Sequence, residues 1–255
     1  MLIDTHSHIY LSEFDEDRTE VVNRAKAAGV SHIILPNVDK ETLEPMWALE
    51  AIEPEYFSAT IGLHPTSVDA AFKQELEWVK SELERRPYCA LGEVGMDLYW
   101  DKTFRNEQIE AFEQQLQWAI DYDLPVIIHQ RDAFEDTIAC VEKYNCSKLR
   151  GIFHSFGGTL EEARRILSLG GFYLGINGVV TFKNSKLSHV LEQLSPENLV
   201  LETDAPYLTP VPYRGKRNES AYVMLVAQKL AEIYQQPVND IIEVTGRNAT
   251  GLFNL

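Results

Sequence analysis

LIDTHSH, residues 2–8, is a short apolar start that runs straight into two histidines one residue apart. Side chains along a strand alternate between its faces, so a strand here turns His6 and His8 the same way, toward one ion. The same form recurs down the chain. Short apolar runs follow at 32–37 (HIILPN), 57–63 (FSATIGL), 89–94 (CALGEV), 125–129 (PVIIH), 150–154 (RGIFH), 172–176 (FYLGI) and 198–203 (NLVLET). Between them lie segments of helical periodicity, including Glu16 to Ala28, Arg105 to Tyr122, Leu160 to Leu169 and Glu219 to Tyr234. Alternating strands and helices imply right-handed crossovers and a parallel sheet. Eight such strands in 255 residues imply an α/β chain closed into a (β/α)8 TIM barrel rather than an open doubly wound sheet. No Gly-x-Gly-x-x-Gly follows the first run, which argues against a dinucleotide fold. The segment from Pro237 to Asn248 reads as an extra helix closing the barrel's base.

No linker, charge block or shift in composition divides the chain, so residues 1–255 read as a single domain. The sequence is 45% hydrophobic and 24% charged, with no run near the roughly 18 apolar residues a membrane span needs. It opens Met1-Leu2-Ile3-Asp4 without the pattern of a secretory signal, and the expected compartment is the cytoplasm. Cys89, Cys140 and Cys146 lack metal-type spacing and are odd in number, so they read as free, mostly buried thiols. A net charge of −16 speaks against wrapping a long nucleic acid, because such binding uses Lys and Arg to displace counterions. Acidic enzymes still act on phosphates through bound cations. Nothing calls for a membrane or an obligate protein partner, and a monomer is expected.

Four of the seven histidines end predicted strands: His6 and His8 the first, His129 the fifth, His154 the sixth. In a barrel enzyme the C-terminal strand ends face one cavity, so four residues remote in sequence gather there. A single histidine is commonly a hydrogen-bonded core residue, whereas four imidazoles at one end suit a divalent metal. Glu93 ends the fourth strand in Leu-Gly-Glu-Val-Gly, and Asp204 ends the eighth in Leu-Val-Leu-Glu-Thr-Asp. Each takes an apolar run into a charge that burial would penalise without a cation, and neither has a basic neighbour in sequence. Six ligands exceed what one tetrahedral zinc takes, and suit two ions bridged by a carboxylate. Gly92 and Gly95 beside Glu93 would let backbone or substrate come close, although ordinary turns also use glycine.

These motifs resemble the TatD family of metal-dependent deoxyribonucleases, within the amidohydrolase-like barrels. The resemblance covers the whole chain: Asp-Thr-His-Ser-His at 4–8, Gly-Leu-His-Pro at 62–65, Gly-Glu-Val-Gly-Met-Asp at 92–97, Val-Ile-Ile-His at 126–129, His154-Ser155-Phe156 and Glu-Thr-Asp-Ala-Pro-Tyr-Leu at 202–208. It implies that His6, His8, Glu93 and Asp204 hold one metal while Glu93, His129 and His154 hold a second, with Glu93 as the bridge. One departure is Ser220 after Arg217-Asn218-Glu219, where the family usually has proline. The implied chemistry is hydrolysis of DNA phosphodiesters, in single strands or at 3' ends, by a water activated between two divalent ions (Mg²⁺, Mn²⁺ or Zn²⁺). Glu93 and Asp204 are the catalytic carboxylates, Asp204 orienting the water and taking its proton.

His64, in Gly62-Leu63-His64-Pro65, resembles a family position that contacts substrate; a capping or core histidine is the plainer reading. Between Pro206 and Asn218 stand Tyr207, Tyr213, Arg214, Lys216 and Arg217, a basic and aromatic group suited to clamping a phosphate and stacking a base. A proline-stiffened surface loop is the alternative. Asp4 is expected on the inward face with His6 and His8, as a partner orienting one of them or as core packing. Tyr99 and Trp100 suit pocket lining or loop packing, Arg131 and Asp132 suit reaching the site or an ordinary helix-start ion pair, while His32 and His189 carry no signal. Two rivals to the nuclease stay open: a deacylase, lactonase or amidase on the same barrel, since activated water attacks carbonyl carbon as readily, and a non-catalytic metal-binding barrel.

Overall fold

A computed structural model describes residues 1–255. Eight strands alternate with helices: β1 (Leu2–Asp4), β2 (Val30–Leu35), β3 (Phe57–Ala59), β4 (Leu91–Asp97), β5 (Val126–Arg131), β6 (Gly151–Phe153), β7 (Phe172–Ile176) and β8 (Leu199–Leu201). The helices are α1 (Arg18–Ala27), α2 (Leu43–Ile52), α3 (Phe72–Arg85), α4 (Arg105–Asp121), α5 (Phe134–Tyr144), α6 (Leu160–Ser168), α7 (Leu187–Leu191), α8 (Val223–Tyr234) and α9 (Val238–Phe253). All neighbouring strands pair in parallel, in the orders β1-β2-β3 and β4 to β8. Two bridges join these sets into a ring, one from Ile61, just past β3, to Leu91 at the start of β4, the other between Ser7 and Ala205, just past β1 and β8. Gly92 N donates to Ile61 O at 2.8 Å, and His8 N to Ala205 O at 2.8 Å. The molecule is a (β/α)8 barrel, as the alternation of runs predicts.

Alternation along each strand separates two apolar layers. Val126, Ile128 and Phe153 face outward into the large core shared with the helices. Ile3, Ile34, Ala90, Ile127, Ile152 and Val200 turn inward and meet Ala249, Leu252 and Phe253 of α9. The terminal helix therefore plugs the floor of the barrel, as the sequence suggests, and it runs five residues further than Asn248. Its Gly246 lies so close to the Met1 backbone that a Cβ there would collide with the Met1 carbonyl. Helix α6 starts on a capping box in which Thr159 and Glu162 each bond the other's backbone N–H.

With the floor filled by hydrocarbon, the polar residues collect at the opposite end. Several expected strand limits shift there. β1 stops at Asp4 and β6 at Phe153, so His6, His8 and His154 sit in the turns that follow. β4 continues to Asp97, which places Glu93 within the strand rather than at its end. β3 stops at Ala59, well short of His64. The three cysteines are free, but only Cys140 is buried; Cys89 is half-buried and Cys146 exposed. No helix is long and apolar enough to cross a membrane.

Candidate metal centre

Glu93 is the hub. Its two oxygens face different groups of imidazoles. Oε2 lies 3.3 Å from His6 Nε2 and 3.9 Å from His8 Nε2. Those two nitrogens are 3.1 Å apart, and Asp204 Oδ1 stands 3.7 and 3.6 Å from them. Oε1 lies 2.8 Å from His129 Nδ1, 3.4 Å from His154 Nε2 and 3.5 Å from His64 Nε2. All six residues expected as ligands thus meet at one end of the barrel, where the His6 ring also stacks on that of His154 at 3.6 Å. His64 joins them. Its Nδ1 accepts from Thr66 N at 3.2 Å, capping a 3-10 turn, while its Nε2 points at Glu93. It is both the capping residue and a residue of the cavity.

Local backbone explains how these side chains converge. Beyond Asp4 the chain leaves the regular ladder and zips onto the segment after β8: Thr5 N donates to Leu201 O at 2.9 Å and Asp204 N to His6 O at 2.9 Å. Asp204 itself takes a left-handed φ of 58°, a conformation Asp tolerates better than most residues. Gly95, at φ 138°, faces the His129 backbone so closely that a Cβ would meet its carbonyl, which lets β4 and β5 bring Glu93 and His129 together.

The break in the ladder also decides between the two readings of Asp4 in favour of core packing. Simple alternation puts it beside His6 and His8, yet it touches neither imidazole. Its carboxylate accepts from Thr203 N at 2.9 Å and Thr203 Oγ1 at 2.7 Å, tying β1 to the end of β8. Burial pushes this carboxyl up to about 7 against those hydrogen bonds.

Three of the ring nitrogens that face away from Glu93 lie beside residues not named as candidates from the sequence, two of them in hydrogen bonds. Asp97 Oδ2 lies 2.9 Å from His129 Nε2. Glu202 Oε1 lies 3.1 Å from His154 Nδ1, out of line for a hydrogen bond, and also accepts from Ser155 N at 2.6 Å. Tyr10 Oη lies 3.0 Å from His8 Nδ1 and donates to Pro36 O, so it accepts the His8 Nδ1 proton and leaves Nε2 as a lone pair toward the cavity. That is the tautomer a metal-binding histidine needs. Period-two alternation does carry a signal for both acids: Asp97 follows Glu93 and Gly95 on one strand face, and Glu202 lies between Val200 and Asp204.

Charge in the cavity fits a cation. Glu93, Asp97, Glu202 and Asp204 have only histidines as ion-pair partners within 4.0 Å, which disposes of a buried pair with Lys or Arg. Burial would raise the Glu93 carboxyl, but His6, His154 and His64 hold it well below the usual range. Burial would lower His154, yet Glu202 and Glu93 carry it up to about 10. His129 is raised in the same way by Asp97 and Glu93, against burial. His154 and His129 therefore keep protons where a metal would place positive charge. His6 Nδ1 has no partner at all, a further sign that the imidazoles are arranged around something other than one another.

Around the mouth the expected contacts divide. Tyr207 is exposed, with its ring 6.5 Å from that of His8. Arg214 is exposed and lies over Phe182 at 3.7 Å. Arg217, expected in the same basic group, is instead bound in two-pronged fashion to Asp17 at 2.7 and 2.8 Å and is electrically spent. Arg131 makes no ion pair; it stacks on Tyr99 at 3.7 Å, with Trp100 beside it, both aromatics exposed. His32 bonds Ser58 and Glu55 far from the cavity, and His189 is exposed on α7.

Comparison with known proteins agrees with this geometry. The sequence model described as "TatD related DNase" matches residues 3–254. The chain is 38% identical over 257 residues to the uncharacterized metal-dependent hydrolase YabD of Bacillus subtilis, covering 100% of both. It is 34% identical to the uncharacterized metal-dependent hydrolase YjjV of Escherichia coli, covering 99% of this chain and 98% of that one. The crystal structure of YjjV, a TatD homologue, superimposes with a TM-score of 0.93 over 100% of this chain and 98% of its own.

Proposed function

The chain belongs to the TatD-related DNase family of metal-dependent hydrolases, and from that premise we propose that it cleaves DNA phosphodiesters, in single strands or at 3' ends, with two divalent ions. The observation that carries this reading is the split of Glu93, one oxygen toward His6, His8 and Asp204, the other toward His129 and His154. His6, His8, Glu93 and Asp204 would hold one ion, and Glu93, His129 and His154 the other; Mg²⁺, Mn²⁺ and Zn²⁺ all suit mixed imidazole and carboxylate donors. Bound there, such ions lower the pKa of an attacking water and offset charge growing on the phosphate. Asp204 receives the proton. Its Oδ1 faces the imidazoles, Oδ2 has no protein donor, and His8, His154 and His6 keep the carboxyl ionised although burial opposes this. His64 binds the phosphoryl oxygens from the β3 side, and Tyr207 and Arg214 take the flanking nucleotide. A cytoplasmic monomer is part of this proposal; no helix is long and apolar enough to cross a membrane.

Asp204→Asn tests the base: turnover of single-stranded DNA falls by several orders of magnitude, with the fold intact by circular dichroism. Near-normal turnover removes Asp204 from the proton transfer. Labelled single-stranded DNA assayed beside a panel of esters and lactones, with and without chelator, separates the nuclease from a lactonase or deacylase on this barrel. A barrel that binds metal and hydrolyses none of them is a non-catalytic one.

A further inference from the structure

In a chain of net charge −16, the cations without a partner are not scattered. Fourteen of the 23 lysines and arginines pair with a carboxylate. Of the nine that do not, only Lys148 and Arg164 lie away from the face that carries the metal centre; the others stand in the loops leading from strand to helix or at the end of β5. That face is itself polarised. The three segments after β1, β2 and β3, residues 5–17, 36–42 and 60–71, contain seven acids and one lysine. Across the mouth, residues 154–159, 177–186 and 202–217 after β6, β7 and β8 contain five cations and two acids, Glu202 and Asp204, both of which belong to the metal centre.

Arg217 is neutralised by Asp17, leaving Lys183, Lys186, Arg214 and Lys216, all exposed. The two loops that carry them are built together. Val211 N donates to Thr181 Oγ1 at 2.9 Å, and the Arg214 guanidinium lies over Phe182, the neighbour of Lys183, at 3.7 Å. The β7 loop is rooted at the centre, where Asn177 Nδ2 donates to Ser155 Oγ at 2.8 Å beside Glu202. The β8 loop starts from Asp204, whose carbonyl accepts from Tyr207 N at 2.8 Å.

We propose that Lys183 and Lys186, with Arg214 and Lys216, form a phosphate-binding ledge that holds the backbone of a single-stranded polynucleotide flanking the cleaved bond. The strand leaves the metal centre over the β7 and β8 loops, because the acidic side of the mouth repels it and the ledge attracts it. Four cations on two joined loops suit a few phosphates rather than a duplex tract. The ledge rests on the nuclease reading and extends it: the preferred substrate carries several phosphates in a row, and a mononucleotide ester does not reach Lys183 or Lys186.

The test is the double reversal Lys183→Glu with Lys186→Glu in the full chain loaded with Mn²⁺. Binding is measured by fluorescence anisotropy of a labelled phosphorothioate dodecathymidylate, which resists hydrolysis. The variant is expected to bind roughly tenfold more weakly, and its log–log salt slope to be shallower by about 0.7 for each phosphate it no longer neutralises. Hydrolysis of bis-p-nitrophenyl phosphate should stay within about twofold of wild type, since that diester cannot span to the ledge. Lys148→Glu with Arg164→Glu, an equal charge change off this face, should leave oligonucleotide binding unaltered. Wild-type affinity and slope in the Lys183/Lys186 variant overturn the ledge while leaving the nuclease intact, as does an equal loss in the control pair. A wild-type protein that neither binds the dodecamer nor cleaves DNA overturns both.

Discussion

His129 stands between two acids, with Glu93 Oε1 on its Nδ1 and Asp97 Oδ2 on its Nε2. Asp97 therefore does for this imidazole what Tyr10 does for His8: it claims the outer proton and points the other nitrogen at the ion. Asp97→Ala should weaken metal binding by about 10- to 100-fold, read by calorimetric titration, with far-ultraviolet circular dichroism unchanged. Wild-type affinity would leave Asp97 without a part in holding His129. At this scale the sequence is informative where chemistry is rare. Histidines and buried-context acids stand out from apolar runs, which is how His6, His8, Glu93, His129, His154 and Asp204 are found. It is silent where the backbone departs from regular alternation, and so it leaves Asp4 undecided between orienting a histidine and core packing, at the position where the ladder ends. Arg217 is misjudged for another reason, since its partner Asp17 is 200 residues away in the chain.

Among the elements, α9 shows how packing and site are kept apart. Ala249, Leu252 and Phe253 close the barrel floor against inward residues of five strands and Ala90 just before β4, at the end opposite Glu93. Phe253→Ala should destabilise the fold by about 3–5 kcal/mol, the usual range for truncating a buried phenylalanine. Thermal unfolding measures the loss, and metal affinity of the surviving folded protein should not change. A change in metal affinity would mean that floor and mouth are coupled. All eight strands are legible as apolar runs because a barrel strand is buried on both faces and cannot carry a polar stripe. Their C-terminal limits are not, because the residues that leave the ladder there are chosen for chemistry rather than for strand geometry.

For the molecule as a whole, metal and proton compete for one cluster. In the metal-free protein the folded-state pKa of His154 is raised to about 10, so near neutral pH it holds a proton that a cation must displace. Metal affinity should accordingly rise with pH through the neutral range, and binding should release protons, seen as a dependence of calorimetric heat on buffer ionisation enthalpy. Heats that do not depend on the buffer would show that the imidazoles are already neutral. Net charge, read from composition, argues correctly against a broad basic surface, but an average hides the split mouth that folding creates from loops far apart in sequence.

The seam between β1 and β8 has a consequence for the order in which the protein is made. His6 and His8 are synthesised at the start, and Asp204, which joins them through the bonds of Thr5 to Leu201 and His8 to Ala205, some two hundred residues later. Long-range contacts of this kind form late in folding. A nascent or truncated chain that has its first strands but not its last has half a metal site, and cannot become a hydrolase before it becomes a closed ring. Refolding followed by metal capture should show the metal signal only in the slowest folding phase; capture in an earlier phase would mean that the centre assembles before the seam closes.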